Sequence, residues 1–86
     1  MGDSFLKITK RNAISRSEFI KLTEDPSIHI RFLRNRLLLE TKGGLVDLLD
    51  EIEQASTDIF YVDVTNTNTT AYIYFYSEND FAKFRR

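Results

Sequence analysis

The stretch Ala71-Tyr72-Ile73-Tyr74-Phe75-Tyr76 decides the fold, because tyrosines alternate with apolar residues along its whole length. Successive side chains of a β-strand point to opposite faces of a sheet. A strand here therefore places alanine, isoleucine and phenylalanine on one face and three tyrosines on the other. We predict that helices cover the isoleucine side and that the tyrosines lie on the open face.

The segments on either side of this stretch complete a hairpin and add a helix. Residues 59–65 are dense in β-branched and aromatic residues and predict the partner strand, joined through the polar turn 66–70. After the hairpin, Ser77 with Asp80 three residues later is a helix N-cap pattern. It predicts a short C-terminal helix that carries Phe81 and Phe84 on one face.

Further upstream, the apolar spacing becomes helical after Gly43-Gly44. Leucine or isoleucine recurs at positions i, i+3, i+4 and i+7 from Leu45 to Ile52, which predicts an amphipathic helix. At 100° per residue, Asp47, Asp50 and Glu51 fall on its opposite face. One side of this helix is expected in the core, and the other is acidic.

The first half of the chain predicts three strands and one helix. Alternation predicts strands at 6–10, at 27–32 and at 37–42, the last two joined by a tight polar turn at 34–36. Ser15 and Glu18 form a capping box that starts a helix at Arg16. Asp25-Pro26 is expected to stop that helix, since the residue before proline disfavours the helical conformation.

The predicted order β-α-β-β-α-β-β-α indicates a single α+β domain spanning residues 1–86, because 86 residues leave no room for a second core. The first six elements match the ferredoxin-like order, with two helices on one face of an antiparallel sheet. A permuted strand order fits the same pattern.

Several functional classes are disfavoured by what the chain lacks. It has no cysteine and one histidine, His29, which is expected on a strand surface. A thiol nucleophile and a thiolate metal site therefore have no candidates. A Ser-His-Asp triad has His29 as its one candidate base, and a single histidine on a strand is more often a surface or partly packed residue than a base. No cofactor motif, metal-ligand spacing, leader or membrane-length apolar run is found. We expect a cytoplasmic protein that is not an enzyme and uses no cofactor or metal.

Charge is divided unevenly along the chain. Residues 1–42 have nine Lys and Arg against five Asp and Glu, a net +4, whereas residues 43–86 have three against eight, a net −5. No Lys or Arg occurs from Leu45 to Asp80. Exposed helices usually mix both signs, so an acidic face without cations favours attraction of a basic partner, although a merely solvated face is the alternative.

The three tyrosines of this strand are compatible with two functions. The alternative is that they only cover the sheet. Tyrosine is enriched in protein-interface hot spots, and aromatic residues on a sheet also stack single-stranded bases. Nucleic acid is the less favoured partner, because the hairpin carries only acidic charges and the sequence pI is about 5.8. Arg31, Arg34 and Arg36 on the other predicted hairpin keep this alternative open.

The opening of the chain, a predicted strand followed by Ile14-Ser15-Arg16-Ser17-Glu18-Phe19 and then Asp25-Pro26, resembles the start of small bacterial immunity-type proteins of polymorphic and contact-dependent toxin systems. The resemblance covers the first quarter of the chain. It implies a protein that binds and occludes a toxin domain without catalysis, and it assigns no functional residue.

The sequence thus predicts a protein-binding module, such as an inhibitor or immunity protein, whose partner is basic, for example a nuclease. The alternatives are a single-stranded RNA or DNA binder and a subunit that self-assembles, for example as a homodimer. The predicted partner-binding residues are Asp47, Asp50, Glu51, Asp58, Asp63, Tyr72, Tyr74 and Tyr76.

Overall fold

The computed structural model describes residues 12–66 and 69–85 and confirms the α+β class. The described elements are α1 (Arg16–Leu22), α2 (Pro26–Arg34), β1 (Arg36–Glu40), α3 (Leu45–Ala55), β2 (Phe60–Asn66), β3 (Thr70–Phe75) and α4 (Glu78–Phe84). The strand predicted at 6–10 lies outside the described residues. None of the helices in the described part of the chain has the length and apolar composition needed to cross a bilayer.

The sheet has three antiparallel strands in the order β1-β3-β2, so the strand that carries the alternating tyrosines is central. Ile73 lies opposite Leu37 of β1 and Val62 of β2. In the next row, on the opposite face, Tyr72 lies between Leu38 and Asp63. Alternation along β3 therefore gives the sheet two different faces, as the sequence predicts.

Local signals place five of the elements correctly. The Ser15 hydroxyl accepts from the N–H of Glu18 at 3.2 Å and caps α1. α3 begins at Leu45 after Gly44, whose φ of 101° is a conformation that favours glycine. The Ser77 hydroxyl accepts from the N–H of Asp80 at 3.2 Å and caps α4, and the predicted hairpin is present as β2 and β3.

The strand predicted at 27–32 is wrong, because this segment forms α2. Asp25 is the N-cap of that helix, accepting from the N–H of Ser27 at 2.9 Å, and Pro26 occupies its first turn. Proline is favoured there because its missing N–H would have no helical partner. Asp25-Pro26 therefore starts a second helix, after α1 has already ended at Leu22.

The geometry of α2 explains why the alternating apolar residues at 27–32 led to the wrong prediction of a strand. Ile28 and Phe32, four residues apart, share one side of α2, and Phe32 is buried. Ile30 is rotated by about 200° from Ile28 and is exposed. The tight turn predicted at 34–36 is absent as well: Asn35 is the C-cap of α2, and β1 pairs with β3 instead of with 27–32.

The main core lies on the Ile73 face of the sheet, between it and the helices α3 and α4. Its buried members are Leu45, Ile52, Phe60, Ala71, Ile73 and Phe75. From α4, Phe84 stacks on Phe75 with ring centroids 5.6 Å apart. Two helices thus cover this face, but they are not the pair that the ferredoxin-like order predicts. That order places the helix starting at Arg16 here, whereas Phe19 of α1 packs on the other face.

The other face is partly covered by α1 and α2 through an aromatic cluster. Phe19 of α1 stacks on Tyr61 at 4.2 Å and lies 5.3 Å from the ring of Tyr74. Phe32 of α2 meets Phe19 edge-on at 5.1 Å and lies 5.6 Å from Tyr76. The sheet is therefore packed on both sides, and helices cover part of the face expected to be open.

Candidate functional site

The outward side of α3 is the most acidic helical surface in the described chain. Its exposed positions are Val46, Asp47, Asp50, Glu51 and Gln54. They fall within an arc of about 140°. Asp47, Asp50 and Glu51, called here the acidic face of α3, form no hydrogen bond or ion pair with any described residue. Leu45 and Ile52 anchor the opposite side of the helix in the core, which fixes the acidic face outward.

Glu53, on the same helix, is engaged inside the protein. It is half-buried, and its Oε2 accepts from the N–H of Asn12 at 2.7 Å. The Asn12 side chain donates to the carbonyl oxygen and the hydroxyl of Ser56, each at 3.1 Å. Glu53 thus fastens the segment that leads into α1 and does not belong to the acidic face.

Asp58 and Asp63 lie apart from the acidic face of α3. Asp58 is half-buried in the loop after α3, where its Oδ1 accepts from the N–H of Ile59 at 2.8 Å. Asp63 pairs with Tyr72 in the sheet and lies on the face opposite the one that α3 covers. Of the five acidic residues predicted to bind a partner, the structure brings together Asp47, Asp50 and Glu51.

The three predicted tyrosines have unequal surroundings. Tyr72 is half-buried, and the guanidinium of Arg36 lies 4.8 Å from its ring centroid. Tyr74 lies beside Phe19, as described above. Tyr76 lies near Phe32 and under the guanidinium of Arg31, which is 4.0 Å from the ring centroid. Tyr72, Tyr74 and Tyr76 share a sheet face, but only Tyr72 lies outside the aromatic cluster.

Asp80 is a buried carboxylate whose role sequence reasoning missed. It is fully buried and accepts from the N–H groups of Thr57 and Asp58 and from the Thr57 hydroxyl, each at 3.0 Å. Lys83 lies 3.9 Å from it and donates to the Ala55 carbonyl at 2.7 Å. The sequence placed Asp80 in a cap pattern, but its partners are 22 and 23 residues away and only packing brings them together.

A cationic groove between α2 and α4 was also missed, because it depends on residues 27–34 forming a helix. The groove has a volume of about 650 Å³. Ser27, Ile30, Arg31 and Arg34 of α2 and Glu78, Phe81, Ala82 and Arg85 on and after α4 line it, together with Asn35. We call it the arginine groove.

Among the described residues, the potential metal ligands lie apart from one another and His29 is at the surface. Among them, no three histidine or carboxylate side chains are grouped closely enough to hold a metal ion. His29 lies on α2, not on a strand as predicted, and is exposed there.

Comparisons of the chain with models of protein families, with curated proteins and with solved structures find no significant match. The resemblance of the first quarter to immunity-type proteins stays a prediction.

Proposed function

We propose that this protein is a non-catalytic binding module that attaches to a basic protein through the acidic face of α3, in the manner of an inhibitor or an immunity protein. The observation that supports this most is the exposure of Asp47, Asp50 and Glu51 together, with no cation on the same side of the helix. Such a surface attracts a cationic partner over long range and raises its association rate.

Helix stability accounts for Asp47, which lies in the first turn at the positive end of the helix dipole, but not for Asp50 and Glu51. Asp47 lies three residues before Asp50 and four before Glu51, so the like charges are neighbours on the helix surface. Each such pair destabilises a helix by about 0.2 to 0.5 kcal/mol. The last turn of α3 also lacks a basic residue to balance them. A basic partner would relieve this repulsion.

An apolar contact is available beside the charges. Val46 is 76% exposed, and Asp50 follows it by one helical turn. Interfaces usually combine an apolar centre with a charged rim. A partner with a cationic groove, such as a nuclease or another nucleic-acid enzyme, fits this chemistry. A cytoplasmic location is part of the proposal, and the lack of cysteine supports it because disulfides are common in secreted domains.

A matched pair of charge reversals tests the proposal. The variant Asp50→Lys/Glu51→Lys alters the acidic face, and Glu24→Lys/Glu40→Lys makes the same change of net charge at exposed positions elsewhere. The partner is first recovered with the wild-type protein from the native cell, and its affinity is then measured by calorimetry at two salt concentrations. We expect the first variant to lose at least about tenfold in affinity and most of the salt dependence. Equal affinities of the two variants would refute the proposal.

The aromatic cluster bears on the nucleic-acid alternative. A row of tyrosines that stacks nucleic-acid bases needs free ring faces. Tyr74 lies against Phe19, and Tyr76 lies against Phe32 and Arg31. Tyr72 alone, with Arg36 over its ring, gives weaker support to this function. Titration of the tyrosine fluorescence with oligonucleotides at low salt checks it, and light scattering at high protein concentration checks self-assembly.

A further inference from the structure

The arginine groove gathers positive charge that the described residues do not neutralise. Arg31 and Arg34 are one turn apart on α2, and Arg85 follows α4 on the other side of the groove. None of these guanidinium groups has a carboxylate within ion-pair distance among the described residues. Glu78 is the acidic residue of the lining. Three cations against one carboxylate leave the groove with a net charge of about +2.

Two of these arginines are held in position by aromatic neighbours. The Nε of Arg31 donates to the carbonyl oxygen of Tyr76 at 2.9 Å, and its guanidinium lies over the Tyr76 ring. Arg85 lies over the ring of Phe81, at 5.4 Å from its centroid. Stacking leaves the outer N–H groups of a guanidinium free to donate to a ligand.

Asn35 adds a polar side chain to the lining of the groove. Its backbone is fixed there, since its carbonyl oxygen accepts from the N–H of Phe75 at 3.1 Å. The amide N–H groups of its side chain are of the type that donates to a phosphate oxygen.

We propose that the arginine groove binds a small molecule that carries a phosphate monoester. A phosphate monoester has a charge of about −1.5 to −2 at pH 7, which matches the net charge of the lining, whereas a carboxylate or a phosphodiester has only about −1. Guanidinium groups pair with phosphate through two parallel hydrogen bonds. Ile30, Phe81 and Ala82 add apolar surface for the rest of the ligand. The volume lies within the range of about 300 to 1,000 Å³ that small-molecule sites occupy.

This site is separate from the proposed function, since the arginine groove shares no residue with the acidic face of α3. Either proposal can fail while the other holds. The variant Asp50→Lys/Glu51→Lys is expected to bind the phosphate ligand as the wild type does.

Calorimetric titrations at low salt test the groove with three probes: phenyl phosphate, its singly charged analogue phenyl sulfate, and inorganic phosphate. We expect phenyl phosphate to bind most tightly, since it combines the doubly charged head with a ring for the apolar lining. Tighter binding of inorganic phosphate would mean that the apolar lining contributes nothing to affinity and that the prediction of an organic ligand is wrong. Failure of phenyl phosphate to bind would overturn the proposal outright.

Variants locate the site. Arg34→Gln/Arg85→Gln should weaken phenyl phosphate binding by about tenfold per arginine, the value of a charge-assisted hydrogen bond. Arg16→Gln/Lys21→Gln removes two exposed cations outside the groove, which is the same change of net charge, and as the matched control it should leave binding unchanged. Undiminished binding by the double variant would contradict the assignment. Equally tight binding of an oligonucleotide at the same arginines would replace the monoester by a phosphodiester backbone.

Discussion

Asp80 shows how much of this small domain depends on one side chain. Its carboxylate is fully buried and holds the backbone N–H groups of Thr57 and Asp58, which lie between α3 and β2. Because Asp80 itself lies in the first turn of α4, the same side chain ties that helix to the loop. Buried donors that lose their acceptor cost the full desolvation penalty.

Replacing Asp80 by alanine should therefore lower the free energy of unfolding by about 3 kcal/mol, and by asparagine by about half as much, since the amide keeps one acceptor oxygen. Urea denaturation measures both. Asp50→Ala, at an exposed position of α3, is the control and should change stability by less than about 0.5 kcal/mol. If Asp80→Ala were as mild as the control, the buried carboxylate would not be what fastens the loop.

At the scale of the element, α2 depends on its N-cap. The hydroxyl and the N–H of Ser27 donate to Oδ1 of Asp25 at 2.8 Å and 2.9 Å. These hydrogen bonds hold the pKa of Asp25 below its ordinary value, and the hydrogen bond from the Ser27 hydroxyl has the largest effect. The charged cap also lies at the positive end of the helix dipole. A carboxyl with a lowered folded-state pKa stabilises the fold at neutral pH, and this contribution is lost as the pH falls through that pKa.

Asparagine caps helices as well as aspartate does but has no proton to bind in this range. The stability advantage of the wild type over Asp25→Asn should therefore be constant near neutral pH and shrink as the pH falls below about 4. Thermal denaturation of both proteins across this range measures the difference. Ser27→Ala removes the hydroxyl donor and should reduce the pH-dependent part. A difference that does not vary with pH would show that Asp25 is not held by these hydrogen bonds.

At the scale of the whole molecule, β3 joins two packed layers. Ile73 and Phe75 belong to the main core, while Tyr74 belongs to the aromatic cluster on the other face. If β3 left the sheet, the packed side chains of both layers would be exposed to solvent. We expect the two layers to unfold together in one cooperative transition.

The tyrosines provide a direct test, because the chain has four of them and no tryptophan, and all four lie on the side of the aromatic cluster. Tyrosine fluorescence thus reports on that layer, and far-UV circular dichroism reports on all helices. Their urea midpoints should coincide, and Ile73→Ala should shift both by the same amount. An earlier change in fluorescence would mean that α1 and α2 detach from the sheet before the main core opens.

Hydrogen bonds and periodicities confined to a few neighbouring residues are what the sequence predicts reliably here. Caps fix the starts of α1 and α4, the i, i+3, i+4, i+7 spacing fixes α3, and alternation fixes β3. Residues 27–32 satisfied a strand pattern although the Asp25-Pro26 cap favoured a helix. Three apolar residues spaced by two fit a strand and also a short helix. The contact of Phe32 with Phe19, which the sequence does not show, favours the helix.

The sequence by itself determined the α+β class, the hairpin of β2 and β3, the two faces of β3 and the outward acidic face of α3. Only the tertiary structure decided that helices pack on both faces of the sheet, that Asp80 holds the loop at Thr57, and that Arg31, Arg34 and Arg85 line one groove. The physical reason is distance along the chain. Arg31 and Tyr76, for example, are 45 residues apart, and such pairs meet only when the packing of the whole chain brings their elements together.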